Sequence, residues 1–141
     1  MASPVQASLI LCDAATAEPT SGKVNMLGAG WSVTSSPTGP QAVAVLIKIP
    51  WDRTNQQIPL RLQLMTTDGA PVRLEQAEGD GRVGAEAHVE AGRPPGTAPG
   101  SHISAAFVLN VAPLPLPAGR YEWRLEIDGD TVAVADFTAL A

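Results

Sequence analysis

The segment Pro50-Trp51-Asp52-Arg53-Thr54-Asn55 combines the residue types best suited to chemistry in this sequence. A flat indole ring beside carboxylate, guanidinium and amide groups can bind a sugar or a partner. Arg93, from the Gly/Pro-rich stretch 92–100, is a further cation that could assist them. The candidate binding residues are Trp51, Asp52, Arg53, Asn55 and Arg93.

The same segment also has a purely structural interpretation. Trp51 would close one end of the core while Asp52 forms an Asx turn onto Thr54 or Asn55. Solvent exposure of Trp51 distinguishes the two interpretations, because a ring that binds a ligand must be accessible.

Metal ligands are sparse, since the chain has two His and one Cys. A zinc site would need all three together or carboxylates in support, but His88 falls on the polar face of an alternating segment and His102 stands beside the Gly/Pro-rich stretch. Calcium would need clustered oxygens, and neither EF-hand spacing nor a dense acidic loop occurs. The available oxygens belong to Asp52, Asn55, Asp68, Asp80, Asp128 and Asp130. We predict no metal and no cofactor.

Three patterns that could suggest catalysis fail on their context. Gly28-Ala29-Gly30 is not a dinucleotide fingerprint, because Val33 stands where a third glycine belongs and a strand pattern follows. No Gly-x-Ser-x-Gly nucleophile motif occurs, and neither His belongs to a catalytic motif. Glu122 and Glu126 alternate with Arg124, which predicts an ion pair rather than a glycosidase acid pair. We expect no enzymatic activity and no catalytic residue.

The charge composition limits the classes of partner that the protein can bind. Nine Lys and Arg against 14 Asp and Glu give a formal net charge of −5 without a basic cluster, so neither a nucleic acid nor an anionic membrane is expected as a partner. No segment approaches the roughly 20 apolar residues of a membrane span. Charged residues are only 16% of the chain, which indicates either a surface covered by another subunit or a composition rich in Ala and Gly.

Cys12 is the single cysteine, so no intrachain disulfide forms. Residues 8–12 look like the end of a lipoprotein signal, but residues 1–7 carry no Lys or Arg, and Leu11 stands where cleavage requires a small side chain. We predict that Cys12 is buried in a strand and that the protein is cytoplasmic.

Period-two alternation between turn residues predicts about eight strands. They cover residues 6–13, 23–34, 43–49, 58–65, 83–89, 103–111, 120–127 and 131–137. Residues 43–49 are apolar at nearly every position, which predicts a central strand covered on both faces. In the strand that opens the closing hairpin, Tyr121, Trp123, Leu125 and Ile127 face inward. Gly28-Ala29-Gly30 predicts a bulge within 23–34.

Turn chemistry predicts the connections between these strands. Asp68-Gly69 and Asp128-Gly129 are hairpin turns, the first leading into residues 71–74. Residues 75–81 are polar and predict a loop. Residues 92–100 lack the amide donors that a ladder needs, which predicts a long connection crossing between sheets.

A single all-β domain over residues 1–141 follows from these patterns. No window of 11 residues has helical spacing free of Pro and Gly, so we predict an antiparallel β-sandwich, immunoglobulin-like or jelly-roll-like, with negligible helix. Residues 117–121, with Pro and Gly ahead of a Tyr-x-Trp strand, resemble the penultimate strand of immunoglobulin-like and fibronectin-like sandwiches. That likeness is architectural and implies no function.

Five motifs together carry a resemblance to a known family. They are Leu11-Cys12-Asp13-Ala14-Ala15, Gly30-Trp31-Ser32, Pro50-Trp51-Asp52-Arg53-Thr54-Asn55, Gly92-Arg93-Pro94-Pro95-Gly96 and Leu114-Pro115-Leu116-Pro117-Ala118-Gly119-Arg120-Tyr121-Glu122-Trp123. The set is similar to an uncharacterised, mainly actinobacterial family of small β-sandwich proteins that forms a domain of unknown function. The resemblance spans nearly the whole chain and implies no activity, cofactor or site residue.

Two function hypotheses remain. The first is a non-catalytic binding or assembly module that self-associates through a low-charge sheet face or strand edge, with a homo-oligomer or another protein as its partner. The alternative is a small-ligand or carbohydrate-binding module that uses the Trp51 loop.

Overall fold

The structure is a computed structural model that describes residues 4–74 and 81–141. Within these residues the chain forms ten β-strands and no α-helix. In chain order the strands are β1 (Gln6–Cys12), β2 (Ala14–Ala17), β3 (Val24–Leu27), β4 (Val33–Ser35), β5 (Gln41–Ile49), β6 (Ile58–Thr66), β7 (Gly84–Val89), β8 (Ile103–Val111), β9 (Gly119–Ile127) and β10 (Asp130–Leu140). A 3-10 turn, Trp51–Arg53, lies between β5 and β6. The all-β prediction is confirmed.

Two sheets and a two-stranded ribbon arrange these strands. The five-stranded sheet has the order β4-β10-β9-β6-β7, the three-stranded sheet has the order β1-β5-β8, and β2 pairs with β3 in the ribbon. Every pair of these strands is antiparallel except β4 and β10, which run parallel. The predicted antiparallel sandwich is therefore confirmed, with one parallel pair at the edge of the larger sheet.

The core lies between the two sheets. Leu62 and Leu64 from β6 and Trp123 from β9 pack with Val43 and Val45 from β5 in one buried cluster. The predicted inward set of β9 is confirmed, because its alternate residues from Tyr121 to Ile127 are all buried. Period two produces this result because successive side chains point to opposite faces of a strand.

A tyrosine corner fixes the entry into β9. The Tyr121 hydroxyl donates a hydrogen bond to the Pro117 carbonyl at 2.7 Å, and its ring stacks on Phe137 with 5.7 Å between centroids. Burial raises the pKa of the Tyr121 phenol. A Tyr that bonds a few residues upstream is typical of immunoglobulin-like sandwiches, which is the likeness that residues 117–121 predicted.

The central strand β5 is covered on both faces over its first half only. Its inward side chains meet the five-stranded sheet, while Ala42 and Ala44 on the outer face pack against Cys12 and Ala15 under the β2–β3 ribbon. Leu46, by contrast, is 36% exposed. The prediction that residues 43–49 are buried on both faces is thus confirmed for residues 43–45 but not for the outer face beyond them.

The predicted single strand over residues 23–34 is wrong. The structure divides it into β3, which pairs with β2, and β4, which pairs with β10 in another sheet. Gly28 and Gly30 have φ values of 61° and 93°, and they lie in the turn that separates two strands instead of forming a bulge within one. The ribbon strand β2 was not predicted at all.

The predicted connections are confirmed in part. Asp68-Gly69 makes a tight turn in which Gly69 N donates to Thr66 O at 3.0 Å. Beyond it, Pro71 forms only an isolated bridge to Met65, because proline has no amide hydrogen to extend a ladder. Residues 92–100 contain no strand and cross from β7 in the larger sheet to β8 in the smaller one. The polar loop predicted at 75–81 lies outside the described residues except for Gly81.

Candidate functional site

The Trp51 loop is held at the end of the sandwich by its backbone. The 3-10 turn places Thr54 N 3.4 Å from Trp51 O, and the Thr54 hydroxyl donates to the same carbonyl at 2.8 Å. Asn55 has a φ of 60°, a left-handed conformation that Asn tolerates better than most residues. Asn55 N donates to Ala91 O at 2.8 Å, so the loop is tied to the segment that follows β7.

Arg93 covers one face of the Trp51 ring. The carbon of its guanidinium lies 3.9 Å from the ring centroid, a cation–π contact. Its Nη2 donates to Trp51 O and its Nε to Thr54 Oγ1, both at 2.7 Å. The structure thus brings Arg93 to the loop, although it lies 42 residues from Trp51 in sequence. Two nitrogens of its guanidinium, Nε and Nη2, already donate hydrogen bonds to the protein itself.

Arg53 joins the loop to the closing hairpin. Its Nη1 lies 2.9 Å from an Asp128 carboxylate oxygen, and its Nε donates to Gln56 Oε1 at 3.1 Å. Gln56 in turn donates from Nε2 to Asp52 O at 3.1 Å. The five candidate residues therefore form one cluster at one end of the fold, and a binding role for them stays a prediction.

Replacing Arg93 with Gln tests how this cluster is held. We expect the free energy of unfolding to fall by about 1 kcal/mol, since the cation–π contact and the charged hydrogen bonds are lost at an exposed site. Acrylamide should also quench tryptophan fluorescence more strongly, because one face of Trp51 becomes accessible.

Arg120→Gln is the matched control for Arg93→Gln, since Arg120 is an exposed cation on β9 outside this cluster. Chemical denaturation and quenching are measured on both variants. If Arg93→Gln and Arg120→Gln behave alike in both measurements, Arg93 does not shield Trp51.

The outer face of the five-stranded sheet carries ion pairs. Arg124 Nη2 lies 3.0 Å from Glu122 Oε2, and Arg61 Nε lies 3.7 Å from Glu86 Oε1 on the neighbouring strand. Glu122 and Arg124 lie on the same face of β9, as the sequence pattern predicted. On this face Glu122 is paired with Arg124, and Glu86 is paired with Arg61.

Groups that could bind a metal are dispersed. In residues 4–74 and 81–141 no three His, Cys, Asp or Glu side chains come together as ligands. Asp128 pairs with Arg53, and Asp68 accepts a hydrogen bond from the Thr66 hydroxyl, which lowers the pKa of the Asp68 carboxyl. Asp80, another candidate oxygen ligand, lies outside the described residues.

Cys12 lies on β1 beneath the ribbon and is fully buried, as predicted. Burial raises the pKa of its thiol, which disfavours the nucleophilic thiolate. Its surroundings, Ala15, Ala42 and Ala44, are those of a packed side chain.

Among the described residues there is no helix with the length and apolar content to cross a membrane.

A second concave surface was not predicted from the sequence. A cavity of about 770 Å³ lies on the outer face of the three-stranded sheet beside the ribbon turn, and both Lys23 and Lys48 line it. The sequence does contain one signal for it, because these are the only two lysines in the chain.

Comparison with known proteins gives a family but no activity. No curated protein matches the chain. Among solved structures, the crystal structure of a β-glucosidase from Kluyveromyces marxianus in complex with glucose aligns with 13% sequence identity and a TM-score of 0.39. The alignment covers 72% of this chain, which spans only 12% of the enzyme chain. The model of a family of unknown function (DUF6941) matches residues 7–139, nearly the whole sequence, and the chain belongs to this family.

Proposed function

We propose that the protein is a non-catalytic binding and assembly module that self-associates through the free edge of β8. The observation that carries this proposal is the composition of that edge. β8 has nine residues, Ile-Ser-Ala-Ala-Phe-Val-Leu-Asn-Val, without a charge or a proline. Edge strands of this kind pair with other edges unless charge, proline or a bulge prevents it.

The other sheet edges are less suited to pairing. β4 is only three residues long, and β7 carries Glu86 and His88. At β1 the Leu11 carbonyl already accepts a hydrogen bond from Gly30 N at 2.8 Å. In the described ranges β8 ladders with β5 alone, so its second row of backbone groups is the best-suited site for a further strand.

A second copy of this chain is the simplest partner for β8. Two β8 strands related by a twofold axis would pair antiparallel, each presenting the same uncharged residues to the other. The pairing would join two three-stranded sheets into one of six strands. The low charged fraction of the chain, 16%, supports a surface that is partly covered by another subunit.

This proposal predicts a solution mass of at least twice the 14.6 kDa of one chain. Ala106→Lys and Ala106→Glu, near the middle of β8, should both give monomers, because like charges then face each other across the twofold axis. Light scattering after size exclusion measures the mass.

Val33→Lys is the control for the assembly test, since Val33 is 55% exposed on the edge strand β4 of the other sheet. It should leave the mass unchanged. A wild-type protein that stays monomeric at high concentration would rule out self-association.

Recognition of a small ligand or carbohydrate at the Trp51 loop remains the alternative. The loop geometry makes this alternative the weaker of the two, because Arg93 already covers one face of the Trp51 ring on which a ligand would stack. A different protein could take the place of the second copy as the partner of β8. We also propose that the protein is cytoplasmic and that its family is mainly actinobacterial. The buried thiol of Cys12 is compatible with a reducing compartment.

A further inference from the structure

The outer face of the three-stranded sheet is divided into two halves. Under the ribbon it is apolar and closed, because Cys12, Ala42 and Ala44 pack there against Ala15. Beyond the ribbon the same face forms the floor of the cavity of about 770 Å³. The register places two cross-strand rows on that floor, Ser8–Leu46–Ala106 and Gln6–Lys48–Ser104.

The ribbon turn supplies the wall of the cavity. Glu18 N donates to Lys23 O at 2.8 Å, and Gly22 N donates to Glu18 O at 2.9 Å, so the turn is closed by its own backbone. Ser21 Oγ accepts a hydrogen bond from Lys23 N at 3.2 Å and keeps its own proton to donate. Lys23 from the wall and Lys48 from the floor therefore line one cavity.

The charge in this cavity opposes that of the chain. The protein has a formal net charge of −5, yet no Asp or Glu of the described residues lines the cavity that holds both lysines. Arg53 and Arg124 each pair with a carboxylate, whereas in residues 4–74 and 81–141 neither lysine does. Two unpaired ammonium groups in one concavity favour an anion between them.

The remaining lining suits a small organic molecule. The serine hydroxyls and the Gln6 amide offer neutral hydrogen bonds, and Leu46 gives the floor an apolar centre. The volume falls in the range of about 300–1,000 Å³ typical of small-molecule sites. A smaller cavity of about 270 Å³ shares Gln6 and Lys48 and reaches His102, so the polar end extends toward the Gly/Pro-rich connection.

We infer that this cavity binds a small phosphate monoester, with the phosphate between Lys23 and Lys48 and the body of the molecule over Leu46. A phosphate monoester carries a charge of about −1.5 to −2 at neutral pH, which two ammonium groups balance. Lysine binds phosphate as a point charge, and a single carboxylate, with one negative charge, would balance only one of the two ammonium groups. The arginines of this chain do not line the cavity.

Isothermal titration calorimetry with glycerol 3-phosphate and with inorganic phosphate tests the site. The wild-type chain should bind glycerol 3-phosphate saturably, one molecule per chain, and more weakly as salt rises. Lys23→Gln and Lys48→Gln should each weaken binding at least about tenfold, and the double variant should abolish it, since each removes a charged hydrogen-bond donor. Inorganic phosphate should compete, while glycerol and acetate should not.

Arg120→Gln, which changes the net charge equally outside the cavity, should bind like the wild type. Equal binding of acetate would overturn the assignment to phosphate. Absence of saturable binding, or unchanged binding in the double lysine variant, would overturn the site itself. This result can be distinguished from self-association with the two Ala106 variants. Both Ala106→Lys and Ala106→Glu should give monomers, but Ala106→Lys should strengthen phosphate binding whereas Ala106→Glu should weaken it.

Discussion

Replacing Trp123 with Ala is expected to lower the free energy of unfolding by about 4 kcal/mol, in the range for removal of a large buried aromatic. The Trp123 side chain is fully buried, and β9 places it between Leu64 of β6 and Ala135 of β10. Its Nε1 donates to Gln41 Oε1 at 3.2 Å across the core. Truncation therefore leaves both a cavity and a buried acceptor without its donor.

Trp123→Phe separates these two contributions. The phenyl ring retains much of the packing but cannot donate to Gln41, so we expect a smaller loss of about 2 kcal/mol. Urea unfolding followed by far-UV circular dichroism measures all variants. Val134→Ala, on the exposed outer face of β10, is the surface control and should change stability by less than about 0.5 kcal/mol. A loss below that of the surface control would contradict the central role of Trp123.

Replacing Gly84 with Ala is expected to detach β7 from β6. Gly84 has a φ of 153°, and an added Cβ would overlap the Leu62 carbonyl oxygen and lie 3.0 Å from Gln63 Cα. Both obstacles are backbone atoms of the neighbouring strand, which cannot move aside as a flexible side chain would. Strain and overpacking together should cost about 3 kcal/mol.

Gly129→Ala distinguishes the clash from the backbone conformation. Gly129 also has a positive φ of 86°, but an added Cβ there meets no atom within 4 Å, so the cost should be about 1 kcal/mol. Hydrogen exchange should show faster exchange at the β6–β7 ladder in Gly84→Ala and unchanged exchange there in Gly129→Ala. Equal stability of the two variants would contradict the overlap with Leu62.

Alternation was a reliable guide wherever one face of a strand meets the core. The strands at 58–65, 103–111 and 120–127 and the turn at Asp128-Gly129 were predicted close to their observed bounds. In these segments side-chain polarity and the pleat agree, so a shift of one residue would expose the core face. Local sequence therefore suffices for them.

Alternation did not predict the strands correctly where pairing with a neighbouring strand, rather than the residues of the strand itself, determines the structure. Residues 23–34 read as one strand, but Gly28 and Gly30 end β3, and β4 then joins β10 in parallel across the sandwich. The short β2 has little hydrophobic pattern, and Asn110 stabilises it by accepting from Ala15 N at 3.3 Å and donating to Ala15 O at 2.9 Å. That side chain comes from β8, 95 residues later.

Local sequence patterns establish the all-β class, the core face of the main strands and the Trp51 loop, whose residues are contiguous. The folded chain shows in addition that Arg93 lies on the Trp51 ring, that β8 ladders with β5 alone among the described residues, and that Lys23 and Lys48 line one cavity. Alternation encodes which face of a strand is buried, whereas strand order and the folding back of the ribbon bring together residues far apart in the chain. Lys23 and Lys48 line one cavity because the ribbon turn lies beside the second half of β5.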